Sequence, residues 1–193
     1  MPTVKELLPQ LDHVAILVES LESTLNNLSL PKDLIGDISS FPSEGTREVY
    51  VGGTHARSRL LLIQANGEGP YQRAMEKRGA GLHHVAITVP DMEAYLSHLS
   101  GSGWYLHPIS LSSWKEVDTV WVTRPGMPFL VELIQRRQNH LESDKPFIVG
   151  VGLPSEGRSD LIAILSVAEL TATESEPHLT FLNRPTSVLS LLR

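Results

Sequence analysis

The chain contains no cysteine, which excludes a disulfide framework, a thiolate metal site and a cysteine nucleophile together. Any metal it binds must therefore be held by histidine, carboxylate or other oxygen ligands. Basic residues are also in deficit: 16 Lys and Arg stand against 22 Asp and Glu, a formal charge of -6. No stripe of Lys and Arg runs along any segment, so a nucleic-acid partner is not expected. No apolar run reaches the length of a membrane span, and the opening MPTVKELLPQ lacks the basic-then-apolar order of a signal peptide. A cytoplasmic protein without a membrane partner is expected. Phosphate-loop and dinucleotide fingerprints are absent as well.

What is present is ordinary globular composition. With 41% hydrophobic and 20% charged residues over 193 positions, the chain can bury a core as one domain or two small intimate ones. An internal repeat organises it. LDHVAILVESLESTLNNL, from Leu11, aligns with LHHVAITVPDMEAYLSHL, from Leu82, and half the positions match, among them His13 with His84 and Ile16 with Ile87. Far along the chain LLIQ, Leu61 to Gln64, matches ELIQ, Glu132 to Gln135. Both matches stand at an offset of 71 residues, since 84 − 13 equals 132 − 61. Chance similarity has no reason to keep register over that separation, so the module is duplicated.

Each copy opens on a β-branched run, VAILV or VAITV, that suits a strand. A helix follows, with Leu21, Leu25 and Leu28 at helical spacing after Ser20, and Met92, Leu96 and Leu99 after Asp91. Ser20 and Asp91 are the expected N-caps. REVYVGG, SRLLLIQ, DTVWVTR and PFLVELIQ then read as further strands, giving a βαβββ pattern per module. A helical piece, GPYQRAMEKRG, links the copies and ends at Gly79 and Gly81. The expected divisions are 1–81 for the first module with its linker helix, 82–139 for the second, and 140–193 for a C-terminal extension that copies neither. A sheet edge, a lid, a partner-binding arm and a covering extension are all open to that tail.

Strand side chains alternate, so equivalent positions of two related modules project to equivalent places about a pseudo-twofold axis. His13, His84, Glu132 and Leu61 then converge. Two neutral imidazoles and one carboxylate suit a divalent metal with open positions, and a carboxylate inside FLVELIQ is costly to bury without a cation. His13, His84 and Glu132 are the expected metal ligands, with Leu61 facing the same cavity. The ion is one of cobalt, nickel, zinc, manganese or iron.

LDHVAI, EKRGAGLHHVAI and LVELIQ, spread over Leu11 to Gln135, resemble the vicinal oxygen chelate superfamily of glyoxalases, bleomycin-resistance proteins and dioxygenases. The closest likeness is to its methylmalonyl-CoA epimerase branch. The resemblance implies an α+β fold in which two βαβββ modules close into a metal-centred, glyoxalase-like cup, and His13, His84 and Glu132 match the family's ligands. It implies an epimerase, isomerase or lyase that works through a metal-stabilised enolate on a small oxygenated metabolite such as a coenzyme A thioester, with a homodimer as one option. Two positions depart from the pattern. Leu61 stands where the epimerases place a glutamine or glutamate ligand. The catalytic glutamate position falls on Pro42 or Ser43 of FPSEGTRE, leaving Glu44, Glu48 and Glu132 as candidates to move the proton. The surviving triad also resembles that of the superfamily's oxygenases and transferases, for which His107 and Tyr50 are available by type. A binding protein without catalysis is a third reading.

Other residues have plainer expectations. Alternation sends His83 to the face opposite His84, structural or exposed. His55, His98, His140 and His178 have no partner in the repeat and default to the surface. Trp104, Trp114 and Trp121 are expected to pack in the core or loops. Arg47, Lys77 and Arg78 could meet the phosphates of a coenzyme A thioester.

Overall fold

Both copies of the repeat fold as βαβββ units. The computed structural model describes residues 9–111, 118–136, 145–181 and 184–192. The first unit runs through β1 (Gln10–Val18), α1 (Leu21–Leu28), β2 (Ser39–Phe41), β3 (Thr46–Val51) and β4 (Arg59–Ala65). A linker helix, α2 (Pro70–Arg78), leads into β5 (Gly81–Val89), α3 (Met92–Leu99), β6 (Tyr105–Leu106), β7 (Thr119–Thr123) and β8 (Leu130–Gln135). The strands form one eight-stranded sheet in the order β2-β3-β4-β1-β5-β8-β7-β6. It is symmetric about the antiparallel pair β1 and β5, each of which is flanked by the last strand of its own module running parallel to it.

The offset seen in the sequence is an offset of hydrogen bonds. His13 pairs with Arg59 as His84 pairs with Leu130, and Ala15 pairs with Leu61 as Ala86 pairs with Glu132. The Ser20 side chain accepts from the Ser23 amide and Asp91 from the Ala94 amide, so each helix begins at its expected cap. The matched glutamines explain themselves here. Gln64 accepts from the first helical amide, Leu21, at 3.0 Å, and Gln135 accepts from Met92 at 2.8 Å, which ties the last strand of each module to the start of its helix. The edge strands β2 and β6 span only three and two residues. They carry too few positions for an alternation to register.

The two faces of the sheet are covered differently. Val14, Ile16 and Val18 of β1, with Val85, Ile87 and Val89 of β5, face the helices α1 and α3 in the main core. Ala15, Leu17, Leu61 and Ile63 face the other way, against Tyr71 of the linker helix. The concave face is therefore closed by α2 over the first module.

The C-terminal segment covers the convex side. It contains β9 (Ile148–Pro154), α4 (Ser159–Ala163), β10 (Leu170–Thr173), β11 (His178–Phe181), β12 (Arg184–Ser187) and α5 (Val188–Leu191), with the strands in a second sheet ordered β10-β9-β11-β12. Its apolar residues Val151, Leu153, Ile162 and Leu179 join the same core as Tyr95 and Leu99 of α3. Buried polar groups stitch the two parts: Tyr95 donates to the Leu165 carbonyl at 2.6 Å, Trp104 Nε1 donates to the Leu161 carbonyl at 2.9 Å, and Ser58 donates to the Ile148 carbonyl at 2.7 Å. Gly52, at φ 131°, lies under Phe147, and a Cβ there would sit 2.7 Å from the ring. The expected start of this segment at residue 140 lies outside the described residues, as do His140 and Trp114. Among the described residues no helix is long and apolar enough to cross a membrane.

Removing the Tyr95 hydroxyl tests the joint. Tyr95→Phe leaves the buried Leu165 carbonyl without its donor, so urea unfolding should show a loss of about 1–3 kcal/mol. Cobalt binding at the concave face should not change. A wild-type midpoint for the variant would mean that this hydrogen bond does not hold the cover to the sheet.

Candidate metal centre

The site is built on two neighbouring rows of paired residues that run side by side across the concave face. One row runs Tyr50, Leu61, Ala15, His84, Leu130, each residue paired with the next across β3, β4, β1, β5 and β8. The other runs Trp121, Glu132, Ala86, His13, Arg59 across β7, β8, β5, β1 and β4. The offset of 71 carries each member of one row onto its counterpart in the other. Alanine at the two central positions leaves room beside it for the imidazoles to lean together.

They do converge. His13 Nε2 and His84 Nε2 are 3.2 Å apart, and a Glu132 carboxylate oxygen lies 3.5 Å from the first and 3.6 Å from the second. The three ligand-type atoms all lie within 4.8 Å of one another, a group that could hold a metal ion. Both histidines are buried, and the Glu132 side chain keeps 15% of its surface. His13 Nδ1 donates to Asp12 Oδ1 at 2.7 Å, which leaves Nε2 as the ring nitrogen that faces the group. Three acceptors facing one another repel unless a cation sits among them, and the donor set fits a divalent ion on that ground.

Electrostatics agree with the geometry. Burial, with the nearby His13 and His83, holds His84 well below the ordinary histidine range, and burial with the charge of Arg78 pushes His83 down to about 4. Both rings are thus neutral near pH 7. Burial raises the Glu132 carboxyl against the opposing pull of His13. Asp12 is buried too, yet its hydrogen bond to His13 and the guanidinium groups of Arg136 and Arg59 outweigh burial and hold its carboxyl below the usual range.

A cavity of about 490 Å³ opens over this group, and Leu61 forms part of its wall. Glu44 and Glu48 stand in the wall as well. Thr46 donates to Glu48 at 2.7 Å, and burial raises the Glu48 carboxyl despite that bond, with Glu44 adding to the rise. Tyr50 and His107, which the sequence left unplaced, also line the cavity. The Tyr50 ring meets His13 edge-on at 5.6 Å and carries the Arg59 guanidinium 4.0 Å from its centroid.

Two expectations fail here. His83 does not turn away from His84: it is buried in the cavity wall, its Nδ1 2.9 Å from His84 Nδ1. The reason is a β-bulge. Ala15 pairs with His84 and the next residue, Ile16, pairs with Leu82, so His83 is an extra residue and alternation is broken there. Trp121 is the second. It lies in the cavity wall with its ring edge-on to His84 at 4.9 Å, whereas Trp104 packs in the core as expected. Sequence reasoning also missed Tyr71, which reaches the cavity from α2 and lies 4.8 Å from the His83 ring. The offset could have flagged Trp121 and His83, since they stand 71 residues from Tyr50 and Asp12. Elsewhere, Arg47 is paired with Glu22 at 2.6 Å, Lys77 and Arg78 are exposed, His55 is exposed, and His98 and His178 are half-buried.

No protein-family model matches the chain, and no curated protein sequence matches it significantly. Solved structures do. A hypothetical protein, BH1468 from Bacillus halodurans C-125, superposes with a TM-score of 0.54 at 21% identity, over 69% of this chain and 98% of that one. Methylmalonyl-CoA epimerase from Mycobacterium tuberculosis superposes with a TM-score of 0.51 at 20% identity, over 70% of this chain and 92% of that one. This chain has the glyoxalase-like fold of that epimerase. At such identity the likeness concerns the fold; the site has to be argued from its own residues.

Leu61 gives the test of the site's register. It occupies the position equivalent to Glu132, so Leu61→Gln should add a fourth ligand and tighten Co²⁺ binding by roughly tenfold or more. The metal-free variant should lose about 1–3 kcal/mol of stability, because a carboxamide replaces a buried leucine. Visible d–d bands report the binding. Identical bands and affinity in wild type and variant would mean that Leu61 does not face the ion.

Proposed function

We propose that the protein is a metal-dependent enzyme that moves a proton at a carbon beside a carbonyl, an epimerase or isomerase of the methylmalonyl-CoA epimerase type acting on a small oxygenated metabolite. The observation that carries this reading is one cavity in which three converging ligand atoms face two further carboxylates, Glu44 and Glu48. His13, His84 and Glu132 would hold the ion. When bound, it supplies Lewis acidity that makes a C–H next to a coordinated carbonyl easier to ionise.

The remaining chemistry belongs to side chains. Glu48 takes the proton from carbon, the C–H electron pair forms a C=C bond as the carbonyl π pair moves onto oxygen, and the reverse movement takes a proton back at carbon. Inversion needs a proton returned to the opposite face by a group that starts protonated and ends ionised while Glu48 keeps the proton it took. Glu132 would meet that need only when protonated and off the ion; return from Glu48 itself gives exchange without inversion. A half-buried carboxylate with a raised pKa is a stronger base than a free one, closer to the range a general base needs. The described lining residues include no lysine or arginine. A coenzyme A thioester would thus enter acyl end first, its phosphates staying outside this cavity. Leu61, Tyr50 and Tyr71 provide the apolar wall for the acyl group.

Leu61 also favours a second reading. A triad with an apolar residue at the fourth position leaves several sites free on the ion, the arrangement that facial-triad oxygenases and transferases use. The ion's identity separates the two. Iron together with oxygen consumption supports the second; cobalt, nickel, manganese or zinc with proton exchange supports the first.

Protein loaded in turn with each metal should wash solvent deuterium into methylmalonyl-CoA, and Glu48→Gln should slow the exchange by about 10²- to 10⁴-fold. The pH profile has a definite sign. Glu48 must be ionised to accept the proton, and burial raises its pKa. The rate should therefore rise with pH through a midpoint above that of a free carboxylate, and this limb should vanish in Glu48→Gln. Absence of exchange into any thioester or α-keto compound by metal-loaded protein would overturn the proposal.

A further inference from the structure

We infer that Asp12 and His83 are a matched pair of positioning residues, each borne on its own β-bulge behind one of the two converging histidines and each accepting the Nδ1–H of that histidine. The inference rests on the metal-centre reading for its purpose, and on geometry for its substance.

The pairing of β1 with β5 is interrupted twice. Leu11 pairs with Ile87 and His13 with Ala86, so Asp12 is an extra residue on β1. Ile16 pairs with Leu82 and Ala15 with His84, so His83 is an extra residue on β5. Asp12 and His83 are 71 residues apart, and the two bulges exchange under the same pseudo-twofold as the ligands. In a regular strand the residue before a buried histidine points to the other face and cannot reach its ring. An extra residue undoes this. At each bulge two successive side chains share the concave face, while Leu11 and Leu82 are returned to the convex core. The outcome is a side-chain contact between sequence neighbours, at 2.7 Å for Asp12 with His13 and 2.9 Å for His83 with His84.

The direction of each hydrogen bond follows from use. For Nε2 of a neutral histidine to offer its lone pair, the proton must be on Nδ1, and something must accept it. Asp12 can only accept. His83 can do so at Nδ1 when its own proton is on Nε2. The supports behind them differ: the other oxygen of Asp12 holds Arg136 at 2.9 Å, just past the strand that carries Glu132, whereas the His83 ring lies against Tyr71 of the linker helix. His13 is therefore backed by an anion and His84 by a neutral ring, and the two should donate unequally to an ion.

Nitrogen-15 NMR of the histidines in metal-free protein, read beside Co²⁺ titration, tests this. Wild type should show His13 and His84 protonated at Nδ1. Asp12→Ala should release the His13 tautomer and weaken Co²⁺ binding by about 10- to 100-fold, whereas Asp12→Asn, which keeps an acceptor, should hold the tautomer and most of the affinity. His83→Phe keeps a ring against Tyr71 but has no acceptor, so it should release His84 and weaken binding by about tenfold, and His83→Gln should restore part of that. Persistence of Nδ1 protonation at both histidines in Asp12→Ala and His83→Phe would overturn the inference. Should Asp12→Ala not fold, Asp12→Asn carries that arm, and a shift of His13 to Nε2–H in it counts against us. Wild-type protein that takes up no Co²⁺ would sink the metal reading, while the tautomers of the metal-free variants still decide the pairing.

Discussion

The pairing of β1 with β5 is the constraint on which the rest depends. Because these two strands run antiparallel at the centre of the sheet, they place His13 beside Ala86 and His84 beside Ala15. The parallel neighbours then bring Glu132 next to Ala86 and Leu61 next to Ala15. A one-residue slip in this central pair would turn a histidine away from the cavity and apolar residues of the same strand out of the core. Register and site are the same fact. It is protected from both faces, by helices and the C-terminal cover on one side and by α2 on the other.

That protection creates the electrostatic problem the site answers. His84, Glu132 and Asp12 sit where water is scarce, and burial opposes charge on each of them. Asp12 is relieved by His13, Arg136 and Arg59. Glu132 has no comparable cation beside it in the described cavity, only His13 opposing the rise in its pKa and the more distant charge of Arg136. A divalent ion would complete the balance by giving the carboxylate its counter-charge and the two imidazole lone pairs their acceptor. The fit of the residues to an ion is thus a statement about charge as much as about distance.

Much of this was legible in the sequence because duplication writes geometry as an offset. His13 with His84, Leu61 with Glu132 and Gln64 with Gln135 each report a position in the sheet, and the α+β pair of βαβββ modules follows from strand runs and helix caps. The bulges were not legible. Alternation is the only signal a strand sends, and a bulge is the place where it breaks, so His83 was assigned to the wrong face. Tyr71 was hidden for another reason: a helix that closes over a concave sheet face looks, in sequence, like any linker. The C-terminal cover copies neither module, so nothing in the chain says which surface it lies on. Its hydrogen bonds with Tyr95 and His98 of α3 and with Trp104 beyond it are accepted by main-chain carbonyls, Leu165, Ile164 and Leu161, whose partners no residue pattern reveals.

The symmetry that builds the site is broken where chemistry would need it to be. Backbone positions repeat about the axis, but several side chains do not: Leu61 corresponds to Glu132, Tyr50 to Trp121, Arg59 to Leu130, and Asp12 to His83. A fully symmetric cup would offer a bound molecule two equivalent orientations and the same groups on both sides of it. Here the first module gives Leu61 and Tyr50 with Glu48 beyond them, and the second gives Glu132 and Trp121. On the proposed reading a bound molecule would meet an apolar wall with Glu48 beyond it on one side and Glu132 on the other. The repeat supplies the convergence of the groups, and divergence within the repeat supplies their separate roles.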